Sequence, residues 1–134
     1  MVNVRVARRI AMAGMVLLLP VLVRDGAGQT PATGRLMREK LTHAQRLLEA
    51  LTTSDYALLE RESDALIKIP SMQGWMVLQS PEYRRYSDAF LRATGDLNTA
   101  AKARDLDEAM MHYQTLTASC YQCHRYLKSR RLAK

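Results

Sequence analysis

Cysteine is scarce in this sequence: two occur among 134 residues, at Cys120 and Cys123. A fold held together by several disulfides is therefore excluded. A closed zinc site is disfavoured as well, because such a site needs four ligands and the sequence has no second C-x-x-C pair and no H-x-x-x-H.

Glycine and proline are also few, with six and four copies. There is no glycine-rich phosphate loop, no pair of carboxylates placed for acid and base work, and no nucleophile with a base beside it, so the chain is not expected to be an enzyme. No stretch alternates apolar and polar residues as a strand would. The acids Glu60, Glu62 and Asp64 are interpreted as the solvated side of a helix.

The longest apolar run lies at the N-terminus, where residues 10–23 follow three arginines, Arg5, Arg8 and Arg9. This pattern predicts a signal peptide over residues 1–28, with cleavage before Gln29 and export to the periplasm. An uncleaved anchor is the alternative, although the run is shorter than the roughly 20 residues of a spanning helix. Without residues 1–28 the net charge falls from +7 to +4, which gives no support for nucleic-acid binding.

Residues 29–134 have the pattern of a single all-α domain. Helices are predicted at about 33–51, from Asp55 to about 69, from Pro81 onward and from Asp105 onward. In the second helix, the side chains predicted to be buried are Tyr56, Leu59, Leu66 and Ile67. The first helix has an apolar seam. The seam of the first consists of Met37, Leu41, Ala44, Leu48 and Leu51. Short connections favour an antiparallel up-down-up-down four-helix bundle.

The cysteines belong to the pattern C-x-x-C-H, formed by Cys120, Cys123 and His124. This pattern is typical of covalent attachment of a c-type haem, in which two thiols bond to the vinyl groups and the histidine ligates the iron. On a helix, Cys123 and His124 lie about 60° and 40° around the axis from Cys120, so all three project to one side. A thiol redox pair is the main alternative, and a structural disulfide or half of a zinc site fits less well.

The predicted topology puts His124 at the end of the bundle where the first helix begins. Met37 and Leu41 should lie close to the iron, together with Trp75 in the connection from Met72 to Met76 and Tyr86 on the third helix. Met37 is the first choice for a sixth ligand, with Met72 or Met76 as alternatives. His43, His112, Met110 and Met111 lie too far along their helices or off the seam.

Taken together, the late C-x-x-C-H motif and the helical pattern resemble the class II c-type cytochromes, the family of cytochrome c′ and the low-spin cytochrome c556-like proteins. The resemblance implies one covalent haem c, a basic residue four positions after the histidine (Lys128), and a distal residue at Met37. It departs from the family at Thr33, where cytochrome c′ has an arginine, and at Leu127, where an aromatic residue is common.

The expected function is that of an exported carrier of single electrons between redox partner proteins, with His124 and Met37 as iron ligands. A gas-binding protein with five-coordinate haem, taking NO or CO, is the alternative that the resemblance allows. A third possibility is a haem-free helical thiol protein or interaction module. A homodimer is implied by the resemblance alone, and no membrane span is expected after signal cleavage.

Overall fold

The computed structural model describes residues 30–130. The predicted signal peptide at residues 1–28 and the last four residues lie outside this range. The described chain forms four helices and contains no strand, as expected. They are α1 (Pro31–Thr53), α2 (Tyr56–Lys68), α3 (Pro81–Ala103) and α4 (Leu106–Ser129), with a 3₁₀ turn at Ile69–Ser71 after α2.

Two tight turns of the same design join α1 to α2 and α3 to α4. In each, a left-handed residue ends the first helix and an aspartate caps the next: Ser54 and Asp55 in one, Arg104 and Asp105 in the other. The two aspartate carboxylates accept the backbone N–H groups of residues 58 and 108 at 2.9 and 3.0 Å. Both connections are short, so the joined helices run antiparallel.

The starts of α1 and α3 follow their sequence signals. Thr30 and Ser80 accept backbone N–H groups at 3.2 and 3.1 Å, and a proline occupies the first helical position of each helix. The predicted start at Ser80 is thus confirmed. Proline is favoured there because the first helical N–H has no partner within the helix.

The helices pack in chain order, α1 on α2, α2 on α3 and α3 on α4, and α4 returns to α1 with far fewer contacts. This arrangement is a four-helix bundle with one loosely closed side. Fully buried apolar side chains fill its centre. They include Leu47, Leu59, Leu66, Ile69, Leu97 and Leu116.

The predicted seam of α1 is wrong in part. Leu41 and Leu48 are 58% and 45% exposed, while Leu36 and Leu47 are buried on the neighbouring face. The helix has two apolar faces, and the one that packs on α2 forms the core. The predicted burial of Ile67 in α2 is also wrong, since Ile69 takes the core position.

Trp75 is the covered residue of the connection from α2 to α3, in which Met72 and Met76 are exposed. Trp75 is buried against Phe90 with ring centroids 5.4 Å apart, and the Tyr83 hydroxyl donates to the Trp75 carbonyl. Gly74 has φ of 95°, and a Cβ there would lie 2.9 Å from the backbone nitrogen of Thr33. Only glycine permits this close approach between the connection and the start of α1.

Candidate functional site

The motif residues lie in the last three turns of α4. Cys120 and Cys123 are half-buried free thiols, and the residue His124 is exposed. The helix continues to Ser129, so regular helical geometry holds all three side chains toward the same side. Any group bound by them would meet that side of α4.

A cavity of about 340 Å³ lies beside the motif, on the loosely closed side of the bundle between α1 and α4. Cys120 and His124 form the wall on α4. The opposite wall belongs to α1, with Met37, Leu41 and Ala44 as its apolar members and Arg38 and Lys40 as its charged ones. The structure therefore brings Cys120, His124, Met37 and Leu41 around one space.

The apolar wall of this cavity is poorly covered. Leu41 is 58% exposed although it lines the cavity, whereas Met37 is half-buried and packs against the core. Exposing a large apolar side chain beside a cavity is unfavourable unless a bound group covers it. The wall is thus suited to an apolar ligand.

Lys40 was not predicted as part of the site, and the structure buries it there with 8% of its surface exposed. Its Nζ lies 3.7 Å from the ring centroid of Phe90 and 4.8 Å from that of Trp75. No carboxylate among residues 30–130 forms an ion pair with it. One signal was present in the sequence, because position 40 falls four residues after Leu36 and seven before Leu47 on one helical face.

Burial and this lysine shift the pKa values of Cys123 and His124. Burial lowers the pKa of Lys40 itself, and negative charge at the two cysteines opposes that effect. Burial lowers the pKa of His124, and the charge of Lys40 lowers it further. The pKa of the Cys123 thiol is raised by burial, against the opposing influence of Lys40. Both effects on the His124 pKa favour the neutral imidazole, the form that ligates metals.

The remaining predicted residues are placed outside the lining of the cavity. Trp75 reaches it through its contact with Lys40, and Tyr86 packs on Tyr126 with ring centroids 5.3 Å apart. Lys128 is exposed on the last turn of α4. Met72 and Met76 are exposed in the connection, and neither lines the cavity beside His124.

Tyr83 is a neighbour of the motif on α3. Burial raises the pKa of its hydroxyl to about 12, and negative charge at Cys123 contributes to the rise. The phenol therefore stays protonated and donates to the carbonyl of Trp75. This bond fixes the connection against the start of α3.

The other histidines are engaged elsewhere. His43 Nδ1 donates to Glu62 at 2.7 Å, and His112 bonds to Glu108 one turn earlier on α4 at 3.0 Å. Glu62 was expected on a solvated face, but it is buried between α1 and α2, where Arg61 and Arg46 also approach its carboxylate. The expectation failed because α1 covers that side of α2.

Residues 30–130 contain neither a cluster of metal-binding side chains nor a membrane-spanning helix. No group of three or more His, Cys, Asp or Glu side chains converges there as a metal site. None of the helices in this part of the chain is long and apolar enough to cross a membrane.

Chemically, the cavity has the Cys120 thiol and the His124 imidazole on one wall and the Met37 thioether and the Lys40 amine on the other, while Cys123 lies outside its lining. Sulfur and imidazole donors suit transition metals, zinc and copper as well as iron. No family model matches the chain, and comparison with curated proteins and with solved structures likewise gives no match.

Proposed function

We propose that this protein is a monohaem c-type cytochrome that carries single electrons. Cys120 and Cys123 would hold the haem through thioether bonds, and His124 would ligate its iron from α4. The bound iron would supply the one-electron chemistry, while the chain holds, covers and orients it. In this proposal no side chain acts as an acid, a base or a nucleophile.

The observation that carries the proposal is the cavity between α1 and α4. Cys120 and His124 of the C-x-x-C-H motif line one wall of this apolar space, and Met37 lines the other. The chemistry of a thiol redox pair requires neither an apolar wall nor a neutral histidine beside the thiols. A flat apolar group joined to both thiols would cover Leu41 and fill the open side of the bundle.

Met37 is proposed as the sixth ligand. It lies on the wall opposite His124, and its position on a regular helix sets the direction in which its side chain leaves the backbone. Histidine and methionine together raise the reduction potential of a haem and favour electron transfer. If the Met37 thioether packs against the haem without bonding to the iron, the gas-binding function is favoured.

The attachment is tested by producing the full chain in a bacterial host with a c-type haem maturation system. Haem that stays with the polypeptide on denaturing gels and gives a thioether-type pyridine haemochrome spectrum supports the proposal. Cys120→Ala and Cys123→Ala should each lose one bond to the haem, and His124→Ala should lose the proximal ligand. His112→Ala, a change on the same helix outside the cavity, is the matched control. A wild-type protein without covalent haem would refute the proposal.

Met37→Ala tests the sixth ligand. The low-spin ferric spectrum and its methionine-to-iron charge-transfer band should convert to a high-spin spectrum, with rapid CO binding by the reduced protein. Met111→Ala, an exposed methionine on α4, should leave the spectrum unchanged. A wild-type spectrum that is already high-spin would favour the gas-binding alternative.

Export and partners follow from the same proposal. Residues 1–28 would direct the chain to the periplasm, where it would exchange electrons with redox proteins, alone or as a homodimer. Cell fractionation with mass measurement of the mature N-terminus tests the export. Holoprotein retained in the cytoplasm would contradict it.

A further inference from the structure

One charged side chain in the cavity, that of Lys40, is buried without an anionic partner in the part of the chain that the structure describes. Lys40 is 92% removed from solvent, lines the cavity beside His124, and forms no ion pair with any acid of residues 30–130. Burying an ammonium without an anion is costly, so a lysine at such a place needs a reason. Arg38, the other cation of the wall, is exposed and needs none.

We propose that the Lys40 ammonium acts as a fixed positive charge that raises the reduction potential of the haem. This inference rests on the proposed function, because it concerns the same cavity. It assigns Lys40 a role in setting the equilibrium between oxidised and reduced protein, and it leaves the iron ligands to His124 and Met37.

The aromatic rings around Lys40 keep the ammonium charged and in place. Phe90 from α3 and Trp75 from the connection present their rings to Nζ at 3.7 and 4.8 Å. A cation over aromatic faces recovers part of its lost hydration, and the interaction is strongest where water is excluded. A neutral amine would gain much less from these rings.

The position of Lys40 relates its charge to the site. Lys40 follows Met37 by three residues, so both lie on the same side of α1 and line the same cavity. Cys120 and His124 line the opposite wall of this cavity, so the ammonium faces the side on which the motif lies. Any charge change within this cavity is therefore felt by the ammonium with little screening by water.

The sign of the effect follows from charge balance. Reduction adds one electron and lowers the net charge at the site by one, so a nearby positive charge favours the reduced form. A buried unit charge acting through protein changes such an equilibrium by on the order of tenfold. For a one-electron couple, tenfold corresponds to about 59 mV.

The test is a redox titration of holoprotein variants, followed by optical absorption. Lys40→Met and Lys40→Gln remove the charge, the first with similar length and an apolar end, the second with a polar end. Lys40→Arg keeps the charge. Arg38→Met is the matched control, because it removes an exposed cation from the same wall.

Lys40→Met and Lys40→Gln are expected to favour the oxidised form by roughly tenfold, a fall in midpoint potential of about 59 mV. The midpoint potential of Lys40→Arg should stay near that of the wild type. Arg38→Met should change the midpoint potential by much less than either neutral Lys40 variant. Equal potentials in the wild type and both neutral variants would overturn the inference.

Loss of the low-spin spectrum in Lys40→Met, with Met37→Ala unchanged, would also overturn it, because Lys40 would then be a ligand. These outcomes differ from failure of the proposed function, which would show as a wild-type chain that carries no covalent haem. That result would remove the basis of the inference as well.

Discussion

Replacing Glu62 by glutamine should weaken the contact between α1 and α2 without changing the size of the side chain. The carboxylate is buried at this interface and accepts from His43 Nδ1 at 2.7 Å and from Arg61 Nε at 3.2 Å. Arg46 adds an ion pair at 3.6 Å. A carboxylate only accepts, so His43 must donate from Nδ1.

Most of the expected loss of stability comes from weakening the hydrogen bond between His43 and Glu62. A hydrogen bond to a charged group contributes about 1.5–3 kcal/mol, and a neutral bond retained by the amide about 0.5–1.5 kcal/mol. Arg46 and Arg61 are exposed, so each pair adds only about 0–1 kcal/mol. Glu62→Gln should therefore lower the free energy of unfolding by about 1–2 kcal/mol at neutral pH.

Urea unfolding followed by far-ultraviolet circular dichroism measures this difference, and its pH dependence identifies the cause. Burial acts to raise the pKa of Glu62, but hydrogen bonds from His43 and Arg61 and the nearby positive charge outweigh it, so the pKa lies below its usual 4.5. A lowered pKa means that the carboxylate stabilises the fold above pH 4.5 and loses this contribution as pH falls through its folded-state pKa.

The wild type and Glu62→Gln should thus converge in stability as the pH drops below 4.5. Arg61→Met, which removes an exposed partner, is the control and should cost no more than about 1 kcal/mol. A difference between wild type and Glu62→Gln that persists unchanged in acid would refute the electrostatic reasoning, as would equal stability at neutral pH.

Three further changes test the fold and the cavity by urea unfolding. Leu47→Ala, at a fully buried position, should cost about 2–5 kcal/mol, while Leu48→Ala on the exposed face should cost about 0.5 kcal/mol or less; similar losses would contradict the packing of α1. Ser54→Gly should stabilise by about 0.5–1 kcal/mol, because Ser54 has φ of 56°, and a loss would refute the strain. Leu41→Glu should leave the stability of haem-free protein nearly unchanged but should destabilise the holoprotein, because the haem would cover Leu41. Leu48→Glu should destabilise neither form. Equal effects of the two variants on the holoprotein would contradict the covering of Leu41 by the haem.

Helix ends were predictable because their signals are local. Ser80 before Pro81 and Asp105 before the last helix act within one turn, and the structure begins α3 and α4 directly after these caps. No distant residue is needed to satisfy the first N–H groups of a helix. The all-helical class followed for the same reason.

The buried face of α1 was not predictable in this way. Its sequence carries one apolar row through Met37 and Leu41 and another through Leu36 and Leu47, and periodicity fits both. Which row enters the core depends on α2. The burial of Lys40 depends also on Trp75 and Phe90, which are 35 and 50 residues away, so its position on the row of Leu36 and Leu47 could not predict it alone.

The candidate site is built from two walls that barely touch each other. Met37 and Lys40 belong to α1, which is held mainly by α2, whereas His124 belongs to α4, which is held mainly by α3. The separation of the walls therefore depends on the contact between α2 and α3, where buried Asn98 donates to Ser63 at 2.8 Å, and on the Tyr113 hydroxyl of α4, which donates to the Ala44 carbonyl of α1 at 3.1 Å. The Glu62 contacts join α1 to α2 and the Asn98 contacts join α3 to α2, so both contribute to holding Met37 and Lys40 in place relative to His124.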